Sequence, residues 1–112
     1  MHKLRRVDLE RSKDLLDELK LFVMRLKEEL PVKEVYLYGS FAKGEIHEGS
    51  DIDLLIVGDF TERLFDRIGK ILDLTDLPVE PLVYTNKEFE DLRKSESPFI
   101  AEVLKTAIRI DT

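Results

Sequence analysis

Residues 35–57 read VYLYGSFAKGEIHEGSDIDLLIV, two short apolar runs separated by a connection rich in glycine. The first run, 35–38, combines β-branched and aromatic residues and predicts a strand that ends at Gly39. The second run, 52–57, predicts another strand. The connection between them, 39–50, contains three glycines. Connections of this length in so small a chain are more often functional than idle, so we expect a site here.

Two carboxylates, Asp51 and Asp53, stand at the start of the second predicted strand. Residues two apart on a strand direct their side chains to the same face, with about 6 to 7 Å between them along the backbone. Carboxylates are ligands that Mg²⁺ prefers, and two such ions about 3.5 to 4 Å apart can stabilise the attacking and leaving oxygens of a phosphoryl transfer. Taken alone, aspartates at a strand start are more often solvated or turn-forming. Both interpretations stay open for the pair taken alone.

The predicted topology brings a third acid to the same end of the sheet. If the first two strands pair antiparallel, the end of the first lies beside the start of the second. A helix within 61–74 would carry the chain to a third strand at 82–84, parallel to the second. Residues just before that strand then reach the end that holds the aspartates. We therefore expect Asp51, Asp53 and Glu80 to converge.

The glycine and serine that follow the first strand suit a phosphate group. Gly39 has no Cβ, so a phosphate can approach the backbone closely. Ser40 offers a hydroxyl and, if a helix begins there, backbone amides. Lys43 would lie about one turn further on and could neutralise phosphate charge. The alternative is that Gly39 is only a turn glycine and Ser40 only a helix cap. Both structural roles are compatible with phosphate binding.

The rest of the chain alternates helix and strand patterns. It predicts an α/β (α+β) fold, a short mixed sheet with helices packed mainly on one face, in one domain over 1–112. Apolar residues at three- and four-residue spacing predict a helix over 8–30 that ends before Pro31. Thr61 is the candidate cap of the helix after the second strand. Thr85 and Glu88 have the spacing of a capping box and predict the start of another helix. Ser97 followed by Pro98 predicts the start of a further one. An apolar pair within 108–110 predicts a last edge strand.

The composition argues against several classes of function. The chain has no cysteine, which excludes a disulfide framework, a thiolate zinc site and a cysteine nucleophile. A net charge of −6 disfavours direct binding to nucleic acid, which requires a basic surface. No apolar run is long enough to cross a membrane, and the basic N-terminus lacks the apolar stretch of a leader. We therefore expect a soluble, cytoplasmic protein without a membrane partner.

The motif Gly39-Ser40, ten intervening residues and Asp51-Ile52-Asp53 resembles the signature of the DNA polymerase beta-like nucleotidyltransferase superfamily. The run GSFAKGE, 39–45, resembles the minimal nucleotidyltransferase (MNT) branch more closely still. The resemblance is strong over 35–57 and extends more loosely through 80–85 towards the end of the chain. It therefore covers most of the sequence and implies the polymerase beta-like fold.

The resemblance also implies a role for each candidate residue. The glycine-serine pair would hold the triphosphate of ATP, and the aspartate pair would hold Mg²⁺, as two ions. A third acid on a neighbouring strand would complete the metal site and activate the attacking hydroxyl. Glu80 takes this third position, with Asp76 as the alternative.

For function, the resemblance implies transfer of AMP from ATP to a hydroxyl of a partner protein. The branch often forms a toxin/antitoxin pair with a small helical HEPN protein, whose tyrosine receives the AMP. Two alternatives stay open, a non-catalytic nucleotide-binding protein that masks such a partner and a small-molecule transferase of the antibiotic type. The second ordinarily needs a further substrate-binding domain. We expect the partner to contact apolar residues such as Phe99 and Ile100.

Overall fold

The computed structural model describes the backbone of residues 2–42 and 51–111, and the side chains of residues 14–39, 42 and 51–111. Helices and strands in this part of the chain follow one another in a mixed order. They are α1 (His2–Glu29), β1 (Val32–Tyr38), α2 (Gly39–Ala42), β2 (Ile52–Gly58), α3 (Leu64–Leu72), β3 (Val79–Thr85), α4 (Asn86–Lys94), α5 (Pro98–Thr106) and β4 (Ile108–Arg109).

The strands form one four-stranded sheet in the order β3-β2-β1-β4. β1 pairs antiparallel with β2 and with β4, whereas β2 pairs parallel with β3. Both the antiparallel and the parallel pairing agree with the prediction from sequence. Pro81 lies inside β3, where its missing N–H group is tolerated because β3 is an edge strand. The predicted α/β fold with a short mixed sheet is confirmed.

The larger hydrophobic core lies between one face of the sheet and helices α1 and α3. α1 contributes buried side chains at the predicted three- and four-residue spacing, and α3 contributes Ile71. The sheet contributes alternate residues of each central strand, as expected when one face of a strand is buried. The helix and sheet residues of this core include Leu19, Phe22, Val23, Leu26, Val35, Leu37, Ile52, Leu54, Ile56 and Val83.

A smaller core covers the opposite face of the sheet, beneath α4 and α5. Phe89 from α4 and Ile100 and Val103 from α5 pack there on Leu55 and Val57 of β2. The sequence places helices mainly on one face, and the structure adds these two short helices on the other. They matter for function because Asp53 lies on this same face of β2, two residues before Leu55.

An ion pair connects α3 to α4 across the end of β3. The guanidinium of Arg67, which is buried, donates to Glu88 at 2.7 Å and to the carbonyl oxygen of Val83 at 3.2 Å. Glu88 is also part of a reciprocal capping box with Thr85, as predicted. One carboxylate therefore stabilises both the start of α4 and its position relative to α3.

The turn between α4 and α5 is short and fully hydrogen-bonded. The amide of Ser97 donates to the carbonyl oxygen of Leu92 at 3.1 Å, and that of Glu96 to the carbonyl oxygen of Arg93 at 3.1 Å. These are the two bonds of a Schellman motif, with Glu96 in the left-handed conformation at φ 56°. Ser97 then caps α5 and Pro98 occupies its first turn, as predicted.

Two details of the local predictions differ from the structure. α1 begins at His2 rather than at residue 8, since residues 2–7 contain no glycine or proline to end it. The prediction that Thr61 caps α3 is wrong. Arg63 occupies that position and makes no side-chain capping bond, while the preceding carbonyl oxygen of Glu62 accepts from Arg67 Nε at 2.7 Å.

Within the described residues, no helix combines the length and the apolar character needed to cross a lipid bilayer.

Candidate active site

Three side chains form a row across β1, β2 and β3 at the end of the sheet where α2 begins. In the antiparallel register Tyr38 lies opposite Asp53, and in the parallel register Asp53 lies opposite Glu80. Side chains of directly paired residues leave the sheet on the same face. That face is the one covered by α4 and α5, because the flanking Ile52 and Leu54 point into the opposite core. The predicted neighbourhood of Asp53 and Glu80 is therefore present.

Gly39, the first residue of α2, lies directly against the carboxylate of Asp53 in this row. Its φ is 74°, a left-handed conformation that only glycine adopts easily. A Cβ atom at this position would lie 3.2 Å from Cγ of Asp53 and closer still to its Oδ2. The glycine thus serves the turn and also makes room for the Asp53 carboxylate. The sequence indicated the first role and not the second.

The charges of the three acids affect one another. Burial raises the pKa of Asp53 above its ordinary value, and the charge of Asp51 adds to the increase, whereas a hydrogen bond with Glu80 lowers it. The pKa of Glu80 is raised chiefly by a hydrogen bond with Asp51 and by the charge of that residue, and Asp53 adds to both effects. The three acids are therefore near neighbours.

Three acids that lie close together do not by themselves form a complete set of ligands for a metal ion. Asp53 is half-buried, while Asp51 and Glu80 are exposed. Among the side chains that the structure describes, those of residues 14–39, 42 and 51–111, no three acidic or histidine groups are arranged so that they could hold a metal ion. The strand register brings Asp53 and Glu80 side by side, and coordination requires more than proximity. The site is an acidic cluster with one half-buried and two exposed carboxylates.

Tyr38 is a further residue of this region, one for which residue type favours packing over stacking on a base. Burial raises its pKa to about 12, with Asp53 and then Tyr84 and Glu80 contributing, so its hydroxyl is neutral. Its ring packs edge-on against Phe99 of α5, with 6.2 Å between centroids and 86° between planes. The only signal in the sequence is position, since Tyr38 immediately precedes the glycine-serine pair.

The remaining predicted residues divide into three groups. Asp76 is exposed beside Leu21 and Arg25 of α1, on the other face of the sheet, so Glu80 is the acid adjacent to Asp53. Lys43 lies outside the described residues, as does the side chain of Ser40, although the Ser40 backbone belongs to α2. The expectation that Ile100 contacts a partner is wrong, because it is 1% exposed in the smaller core. Phe99 remains accessible.

Comparison with known proteins gives consistent matches. A family model described as "Nucleotidyltransferase domain" matches residues 19–108. A Methanocaldococcus jannaschii protein named "Putative protein adenylyltransferase MJ0604" is 49% identical over 74 residues, which cover 63% of this chain and 74% of that protein. A second protein of that organism, "Putative protein adenylyltransferase MJ1379", is 37% identical over 51 residues, 46% of this chain and about half (49%) of that protein.

Two solved structures share the fold. One is a crystal structure described as "a putative nucleotidyltransferase from Sulfolobus solfataricus", with a TM-score of 0.61, 28% identity, and coverage of 74% of this chain and 78% of that chain. The other is described as "the toxin-antitoxin with AMP-PNP", with a TM-score of 0.57 and 19% identity, covering 81% of this chain and 71% of that chain.

Proposed function

Because the chain belongs to the nucleotidyltransferase domain family, we propose that it transfers AMP from ATP to a hydroxyl group of a partner protein. The observation that carries the proposal is the row of Asp53 and Glu80 on adjacent strands, with Asp51 two residues away and Gly39 against the Asp53 carboxylate. The names of the M. jannaschii relatives support a protein as acceptor.

The donor atoms of the cluster suit Mg²⁺. They are all carboxylate oxygens, which this hard cation prefers. The negative charge of Asp51 contributes, after burial for Asp53 and after a hydrogen bond for Glu80, to the raised pKa of both acids, and a bound cation would offset that charge. Asp51 and Asp53 would hold the metal, with Glu80 as a third ligand. When bound, Mg²⁺ neutralises phosphate charge and stabilises the negative charge that develops at the α-phosphate.

Gly39 and Ser40 would orient the triphosphate. The backbone can come close to phosphate oxygens at Gly39, and the start of α2 presents amide groups. Lys43 is proposed to neutralise phosphate charge further along the same segment. Together these groups would place the α-phosphorus next to the acids, which is the positioning that transfer requires.

The acceptor oxygen would attack the α-phosphorus in line with the bond to the leaving pyrophosphate. As the new oxygen–phosphorus bond forms, the bond between the α-phosphorus and the bridging oxygen breaks. Glu80 would take the proton of the acceptor hydroxyl, because it stands beside Asp53 and is exposed to an incoming group. To do so it must be deprotonated, which cation binding nearby would favour.

We propose that the partner is a small helical HEPN protein and that the acceptor is one of its tyrosines. The fold shared with the solved toxin-antitoxin supports a paired arrangement. A partner protein can present the acceptor hydroxyl and hold it in line with the α-phosphate, which is the positioning that transfer requires. A protein that supplies both the hydroxyl and its positioning is therefore the simplest solution.

The experiment is co-expression of the chain with its HEPN-type partner, followed by mass spectrometry of that partner. We expect a tyrosine carrying one AMP when the wild-type chain is present and an unmodified tyrosine with the Asp51→Asn, Asp53→Asn double variant. An unmodified partner that still binds the wild-type chain tightly would overturn transfer in favour of masking. ATP labelled at the α-phosphate, incubated with Mg²⁺ and both purified proteins, provides the same test in vitro.

A further inference from the structure

Phe99 differs from the other aromatic side chains on the acidic face of the sheet because its ring is half accessible. It is 47% exposed, whereas Phe89, the phenylalanine of α4 on the same face, is 4% exposed. An exposed phenylalanine leaves apolar surface in water and gives up the burial that stabilises the others. Its position therefore calls for an explanation other than core packing.

The exposure of Phe99 is built into a well-anchored element. The next residue, Ile100, is 1% exposed, and Val103 one turn later is 5% exposed in the same core. Ser97 caps the helix by accepting from the amide of Ile100, and Pro98 restricts its first turn. Since the start of α5 is fixed on both sides of Phe99, the ring is held in one place.

That place adjoins the acidic cluster. Phe99 packs edge-on against Tyr38 at 6.2 Å between centroids, and Tyr38 lies directly opposite Asp53. One side chain, Tyr38, therefore separates the Phe99 ring from the row of acids, and α5 also contacts α2, which begins at Gly39. The α-phosphate and the base of a nucleotide are separated by one ribose, so a base can reach this ring while the phosphates lie at the acids.

We propose that Phe99 is the residue on which the nucleobase of the bound nucleoside triphosphate stacks, with Tyr38 as the ring that supports it from below. This inference rests on the proposed function, because it requires a nucleotide at the acidic cluster. A partly exposed aromatic ring can stack on any of the bases, since every base has a π-face. Phe99 would thus hold the base in place without selecting adenine.

The surroundings of Phe99 favour a single flat ligand over a protein interface. Among the described residues, the other exposed large apolar side chains lie on α1, α3 and β4, none of them on the helices of the acidic face: Leu16, Leu21, Met24, Leu64, Phe65, Leu72 and Ile108. Protein interfaces have an apolar centre made by several neighbouring side chains. A solitary accessible ring beside a phosphate-binding turn fits a base better.

The chain contains no tryptophan, so a Phe99→Trp variant would carry a single fluorescent reporter at the proposed contact. We expect MgATP to quench its fluorescence with a saturable dependence on concentration, because the base stacks on the indole. Magnesium tripolyphosphate, which has no base, should occupy the same turn without quenching. The matched control is Phe65→Trp on α3, 87% exposed in the parent chain, whose fluorescence should stay unchanged with either ligand.

Affinity provides the second measurement. Loss of a stacking partner should weaken MgATP binding about tenfold in Phe99→Ala, with unchanged binding of magnesium tripolyphosphate. Phe65→Ala should bind both ligands like the wild type. Phe99→Tyr, which keeps the ring, should restore ATP binding.

The outcomes separate this inference from the proposed function. Equal MgATP binding by wild type and Phe99→Ala would overturn the stacking role alone, and a loss of partner affinity in that variant would then identify Phe99 as a protein contact. A wild-type chain that binds MgATP through Phe99 but transfers no AMP would overturn the proposed function alone. A wild-type chain that binds no MgATP would overturn both.

Discussion

Gly39 is a single residue on which backbone conformation and the acidic cluster both depend. Gly39→Ala would force a Cβ into the Asp53 carboxylate and would also strain the backbone at φ 74°. We expect the free energy of unfolding to fall by about 1–2 kcal/mol, measured by urea denaturation, and MgATP binding to weaken strongly. Unchanged nucleotide binding would show that the close approach to Asp53 has no functional role.

Gly69 provides the matched control for that substitution. It lies within α3, and a Cβ placed there meets no atom within 4 Å. Alanine is a better helix former than glycine, so Gly69→Ala should stabilise the chain by about 1 kcal/mol and leave nucleotide binding unchanged. Opposite signs for the two substitutions would show that the effect at Gly39 is specific to its surroundings.

Among the helices and strands, α4 is the element whose position depends most clearly on one ion pair. Hydrogen bonds from the Thr85 backbone, together with Arg67, hold the pKa of Glu88 below its ordinary value of 4.5. A lowered pKa in the folded state contributes stability above the ordinary pKa, and that stability is lost as the pH falls through the folded value. Because Glu88 is half-exposed, Glu88→Gln should cost only about 1 kcal/mol at pH 7.

The pH dependence makes the Glu88 prediction specific. Urea unfolding of wild type and Glu88→Gln, compared from pH 7 downward, should give a difference that shrinks below about pH 4.5. Glu90→Gln is the control on the same helix, since its ion pair with Lys94 is exposed on both sides and should contribute little at any pH. A constant difference for Glu88→Gln across the range would contradict the electrostatic explanation.

The turn before α5 has a backbone conformation that a single substitution should make more stable. Glu96 adopts φ 56° at the position of the Schellman motif that glycine usually occupies. Glu96→Gly should therefore raise the free energy of unfolding by roughly 0.5–1 kcal/mol, as measured by thermal or urea denaturation. Ser95→Gly, at φ −79°, has no strain to relieve and should destabilise the chain slightly.

For the molecule as a whole, the two cores are layers on one sheet and share strand β2, so we expect a single cooperative unfolding transition.

The double variant Asp51→Asn, Asp53→Asn should keep the fold intact and have a higher melting temperature in the absence of metal, since two repelling charges are removed. Mg²⁺ with ATP should stabilise the wild type by mass action and leave the double variant unaffected. Unfolding of the double variant would show instead that the pair is structural.

The sequence was sufficient for the central part of this architecture. The apolar runs on either side of 39–50 predicted an antiparallel strand pair, and a helix followed by a parallel strand predicted that Glu80 would come beside Asp53. Both predictions rest on local patterns and on chain-connection rules, which require no knowledge of side-chain packing. The catalytic and binding roles of these residues remain predictions.

Packing between distant segments accounts for what the sequence did not predict. The contact of Tyr38 with Phe99 joins residues from opposite halves of the chain and depends on how α5 docks. Phe99 and Ile100 are equally apolar neighbours, and the rotational position of α5 on the sheet decides which one is buried. Thr61 was a suitable cap by residue type, but the bond from Arg67 to Glu62 places the start of α3 further along.

The row formed by Tyr38, Asp53 and Glu80 also constrains how such a chain can diverge. Each strand contributes one member, and a one-residue insertion or deletion inside any of them would turn that member to the opposite face. The same event would expose alternate core residues, so foldability and chemistry would be lost in one mutational step. Length changes should therefore accumulate in the connections between strands, and homologous genes should keep the internal lengths of β1, β2 and β3 even where their sequences have drifted.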